Sequence, residues 1–128
     1  MHVALLGMGL GGAANTLTDV TSCPGADSCK LAITASMAFA EALSRSLADL
    51  EGIDELLDAV HVKVSGCPNG CGQHHVADIG LEGAATRRGE GWVPCYHLYL
   101  GGSYAGGPTT GGGADTSFGQ RPRITVPA

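Results

Sequence analysis

Two short cysteine pairs, Cys23 and Cys29 in "TSCPGADSCK" and Cys67 and Cys71 in "SGCPNGCGQHH", constrain this chain more than any other feature. Each pair brackets proline and glycine and so sits on a turn-forming loop. A fifth cysteine, Cys95, belongs to neither pair, and an odd count sits badly with a pure disulfide framework. Four thiolates converging from two loops can hold zinc or an iron–sulfur cluster. Structural zinc favours about two to four residues inside a pair, so the first pair is slightly wide for it. Glycine-rich loops let backbone N–H groups approach inorganic sulfide, which favours a cluster, while disulfides and inert thiols stay open on this chemistry alone. A redox dithiol normally has two intervening residues, a spacing that neither pair has.

A chain of 128 residues is long enough for one domain with a core, and its 44% hydrophobic against 15% charged residues argues for a folded protein rather than a disordered one. Its 21 glycines indicate many loops. The formal net charge of −5 is a poor footprint for nucleic acid. No run reaches the roughly eighteen apolar residues that a membrane span needs. The opening "MHVALLGMGLGGAA" lacks a basic residue before its apolar stretch, against a secretory signal. These features give a soluble, cytoplasmic protein with no nucleic-acid or membrane partner. Gly7, Gly9 and Gly12 match a dinucleotide-binding glycine pattern, but "AANTLTDVTSCPG" does not read as the helix such a pattern must open.

Apolar residues Leu31, Ala35, Phe39, Leu43, Leu47 and Leu50 recur at helical spacing, which predicts one long helix capped by Asp27 or Ser28 and stopped at Gly52. Cys29 would then lie in its first turn, where the helix dipole favours a thiolate. A short acidic helix follows over "IDELLDA". "HVKVS", "VADIGLEGA" and "VPCYHLYLGG" alternate as strands, the last two antiparallel across a turn at "RRGEG". The fold class is α+β: a small, mostly antiparallel sheet packed with one long and one short helix, its cysteine loops at one end. Residues 1–15 read as a flexible or partial N-terminal segment, 16–102 as the binding domain and 103–128 as a glycine-rich tail. Cys95 reads as a buried small hydrophobe and Trp92, Tyr96 and Tyr99 as packing residues. His74 and His75, adjacent on an emerging strand, should point to opposite faces as packed or hydrogen-bonded groups rather than metal ligands.

"TSCPGADSCKLAIT", "VKVSGCPNGCGQHHVADIGLEGA" and "YHLYLGG", in this order over residues 16–102, resemble the siroheme and iron–sulfur domain of the assimilatory nitrite and sulfite reductases, and the closing "GQRPRITVPA" is similar too. The resemblance implies an oxidoreductase with a [4Fe-4S] cluster on Cys23, Cys29, Cys67 and Cys71. It also implies a siroheme whose iron takes Cys71 as axial ligand, so that one sulfur joins both centres, with Asn69 touching the macrocycle or serving the turn. The reaction implied is the six-electron reduction of nitrite to ammonia or sulfite to sulfide, with electrons from a donor such as ferredoxin or a flavoprotein. The small oxyanion substrate would bind the iron face opposite Cys71, beside cationic side chains that stabilise it and supply protons.

Family enzymes are several times longer and built from two related halves, and the basic residues that clamp siroheme and substrate come largely from regions absent here. Lys30, Lys63 and five arginines are what this chain offers. The chain is therefore read as a fragment or split-gene product that needs the remaining half of the reductase, and no catalytic residue is assigned within it. The alternative from another class is a structural zinc module, held by the four paired cysteines, that binds a protein partner.

Overall fold

The computed structural model describes residues 2–8, 17–50, 52, 60–102 and 125–127. In chain order these form helix α1 (His2–Gly7), strand β1 (Thr21–Ser22), helix α2 (Ser36–Ala48), β2 (Val62–Ser65), β3 (Ile79–Arg88), β4 (Gly91–Leu100) and β5 (Thr125–Pro127). Single 3-10 turns cover Gly25–Asp27 and His74–Val76. The strands make one sheet in sequential order. β1 and β3 both run parallel to β2, whereas β3–β4 and β4–β5 are antiparallel. The α+β class expected from sequence is therefore found. Its sheet is mixed, with the long β3–β4 hairpin making its antiparallel part the larger.

Alternation sorts the strands into two faces. Val62, Val64, Leu81 and Tyr96 are buried on one face with Leu17 and Ala40, and Phe39, Leu43 and Leu47 of α2 pack onto them. The Phe39 and Tyr96 rings lie 4.5 Å apart between centroids, an aromatic contact worth about 0.5–1.5 kcal/mol beyond its area. The opposite face carries Ser65, Glu82, His97 and Tyr99 and is partly covered by the His74–Val76 turn.

Several expectations change. α2 begins at Ser36, some two turns later than the apolar period suggests, and Leu31, Ile33 and Leu50 are exposed. The backbone N–H groups of Ile33 and Thr34 donate to the carbonyl of Gly66 at 2.7 and 3.1 Å, so this stretch is pinned to another loop instead of joining a helix. Cys29 consequently follows a 3-10 turn and is not in the first turn of α2. The apolar start of the chain is helical from His2 to Gly7 rather than a flexible or strand-entry segment, and a dinucleotide fingerprint would need a strand there. Thr125–Pro127, expected in the tail, pairs with β4. The acidic helix expected over "IDELLDA" lies outside the described residues, as do 103–124. No helix of the described residues is long and apolar enough to cross a membrane.

Candidate metal and cofactor centre

The parallel pairing of β1 with β2 brings the two cysteine pairs to one end of the sheet. Thr21 lies opposite Lys63 and Ser22 opposite Val64, so both strands run out of residues together, into Cys23 on one side and Gly66–Cys67 on the other. Crevices at the carboxyl ends of parallel strands are where such sheets receive ligands. The Cys23 N–H donates to the carbonyl of Val64 at 3.1 Å, extending the ladder by one rung. In return, the N–H of Gly66 donates to Cys23 Sγ at 3.1 Å. The first loop thus reaches across to the second through both a backbone bond and a sulfur bond.

Ser36, the first residue of α2, fixes Cys23 from the other side: its hydroxyl donates to the Cys23 carbonyl at 2.8 Å and lies 3.2 Å from Sγ. Burial pushes the Cys23 thiol up, but the hydrogen bonds from Ser36 and from the backbone of Gly66 and Gly25 outweigh it and hold the thiol below its ordinary value. The cysteine favoured by the start of α2 is therefore Cys23, not Cys29. Beside it, the buried hydroxyls of Thr34 and Tyr96 face each other, and burial, with the neighbouring Cys23, raises the Tyr96 phenol above its ordinary value.

The second loop turns as its composition requires. Gly70 has φ +72°, a left-handed conformation that glycine adopts without strain. All five cysteines are free thiols: Cys67 and Cys95 are buried, Cys23 and Cys29 half-buried, and Cys71 is exposed. Asn69 is exposed on the same turn. Among the described residues, the group that gathers three metal-ligating atoms within 4.8 Å of one another is His74, His75 and Glu82, and the four paired cysteines are not drawn to that spacing. Free thiols at one sheet end, a depressed thiol and a backbone N–H already on sulfur make a donor set that fits an iron–sulfur cluster.

The histidines depart from expectation. Gln73, at φ 61°, turns the chain into the 3-10 turn, and the rings of His74 and His75 stack 3.8 Å apart instead of pointing to opposite faces. His74 is fully buried, with Nδ1 2.8 Å from Ser65 Oγ. Burial, then the neighbouring His75, hold its imidazole below the ordinary histidine range against the pull of Glu82. Burial would raise the Glu82 carboxyl, but Tyr99, His97 and His74 outweigh it and keep it below the usual carboxylate value. The pairing of β3 with β4 puts Glu82, His97 and Tyr99 on one face, and His74 is folded back against them.

The family model for the nitrite and sulphite reductase 4Fe-4S domain matches residues 13–120. The chain belongs to that family. Among its relatives, the ferredoxin–nitrite reductase of Leptolyngbya laminosa is 41% identical over 83 residues, covering 65% of this chain and 16% of the relative. Sulfite reductase [ferredoxin] 2 of Mycolicibacterium paratuberculosis is 34% identical over 111 residues, covering 82% and 18%. The structure of the Mycobacterium tuberculosis NirA protein superposes with a TM-score of 0.69 at 27% identity, covering 98% of this chain and 22% of that one. This nitrite and sulphite reductase domain thus spans less than a fifth of the length of the curated relatives it matches. Both cysteine pairs fall inside the family match.

Proposed function

We propose that this domain carries the [4Fe-4S] cluster of a nitrite or sulfite reductase and one side of its siroheme. Cys23, Cys29, Cys67 and Cys71 would be the cluster ligands, and Cys71 would also hold the siroheme iron. The observation that carries the proposal is the joint exit of β1 and β2, with the Gly66 N–H on Cys23 Sγ, which delivers both pairs to one end of the sheet. That Cys71 alone of the four is exposed supports its sharing by a second group bound from outside the domain, with Asn69 beside it on the turn.

When bound, cluster and siroheme would supply stepwise electron storage and an iron centre for a six-electron reduction, which no side chain of this domain can provide. The domain's own part is to hold the sulfurs, keep Cys23 readily ionised and seal the inner side of the centre with Tyr96 and the core. Ferredoxin or a flavoprotein would deliver the electrons in the cytoplasm. The rest of the reductase would contribute the basic residues around substrate, a small oxyanion such as nitrite or sulfite.

Anaerobic reconstitution of the full chain with iron and sulfide tests the proposal. The expected product is brown, holds about four irons and four labile sulfides per chain, and loses them when any of the four paired cysteines is changed to serine. A colourless product retaining one zinc per chain would favour the structural zinc module instead. Added siroheme should perturb the cluster spectrum in the wild-type chain and not in Cys71→Ser.

A further inference from the structure

The face of the sheet opposite α2 holds a group of ligating side chains that the cysteine centre does not use. We infer that His74, His75 and Glu82 form a site for one divalent first-row transition metal ion of the zinc class, separate from the four paired cysteines. One ligating atom from each residue lies within 4.8 Å of the other two. His74 Nε2 is fully buried, and the polar atom facing it is Glu82 Oε2 at 3.3 Å. That separation is the ligand-to-ligand edge of a tetrahedron whose metal bonds are about 2.0–2.1 Å long, so an ion between the two atoms satisfies both.

The surroundings hold these ligands as metal ligands are held elsewhere. The other nitrogen of His74 faces Ser65 Oγ at 2.8 Å, and that hydroxyl also accepts the Gly72 N–H at 3.1 Å, which fixes the ring's orientation. Glu82 receives the Tyr99 hydroxyl on Oε2 at 2.6 Å, and His97 Nδ1 lies 3.4 Å from Oε1. Tyr99 also packs edge-on against His75, 5.3 Å between ring centroids. His75 is only half-buried, which leaves the ion a side reachable from solvent and a fourth position for water or a further ligand. Two imidazoles and one carboxylate select zinc, cobalt, nickel or iron(II) over calcium and magnesium, which take all-oxygen shells. The site stands whether or not the cysteines carry a cluster.

Anaerobic titration of the full chain with cobalt(II) separates the two centres, because thiolate ligation gives intense near-ultraviolet charge-transfer bands that imidazole and carboxylate do not. The expected result is one equivalent of cobalt whose visible ligand-field bands come without sulfur charge transfer, in addition to any cobalt taken up by the thiols. Its affinity should survive Cys71→Ser and fall about tenfold or more in both His75→Gln and Glu82→Gln. His75 and Cys71 are partly exposed, so those two variants keep the fold, which far-ultraviolet circular dichroism verifies. Cobalt that binds only through sulfur, or nitrogen- and oxygen-ligated cobalt unaffected by both substitutions, would overturn the site.

Discussion

Ser36 touches Cys23 twice, at the carbonyl and at the sulfur, and so joins the start of α2 to the first cysteine of the centre. Removing its hydroxyl removes a stabiliser of the thiolate. In Ser36→Ala, alkylation of Cys23 at neutral pH should slow, followed by mass spectrometry against pH, and urea denaturation should register a loss of about 1 kcal/mol. His74 gives a second prediction, in which its partners Glu82, His75, His97 and Tyr99 all face the same ring or its carboxylate. Its folded pKa lies below the ordinary 6.5, so the unfolded chain takes up this proton first and stability falls as pH drops below that value. Glu82 acts in the same direction below 4.5. In His74→Gln the urea midpoint should be flatter between pH 7 and about 5.5 than in wild type; an unchanged slope would assign it to other histidines. The cysteines were legible in the sequence because proline and glycine mark both loops. The stacking of His74 on His75 was not, since it depends on a left-handed Gln73 that no propensity signals.

At the scale of elements, alternation gave β2, β3 and β4 and the hairpin between the last two, because each strand is long enough for its period to repeat. The start of α2 was misread for a definite reason. Leu31 and Ile33 continue the helical spacing, but the amides of Ile33 and Thr34 are spent on the Gly66 carbonyl, and tertiary pairing overrides local preference. β3 permits this clasp by having glycine at position 83: a Cβ there would collide with the Gly66 carbonyl and the Thr34 hydroxyl. Gly83→Ala should therefore cost about 1–3 kcal/mol in urea denaturation and reduce iron and sulfide uptake on reconstitution. Gly91→Ala, where an added methyl group meets nothing within 4 Å, should change neither.

At the scale of the whole molecule, Leu31, Ile33 and Met37 are 71%, 39% and 53% exposed around the first cysteine loop and the start of α2. In a domain that spans less than a fifth of its relatives' length, apolar side chains gathered beside the centre favour self-association when the domain is alone. The double variant Leu31→Ser, Met37→Ser should lower the aggregated fraction in size-exclusion chromatography with light scattering, while leaving iron uptake unchanged, because neither side chain supplies a ligand. The brevity of β1 has its own consequence. Cys67 follows a four-residue strand paired along its length with β3 and at Lys63 and Val64 with β1, whereas Cys23 follows a two-residue strand at the margin of the described sheet. The proposed centre would thus have one half set in the sheet and the other at its margin, held there by Ser36, Val64 and Gly66. Before loading, amides around Thr21–Ser22 should exchange with solvent first; if an inorganic core bridges Cys23 and Cys67 as proposed, that margin should become as slow as the interior, and maturation would double as the last step of folding.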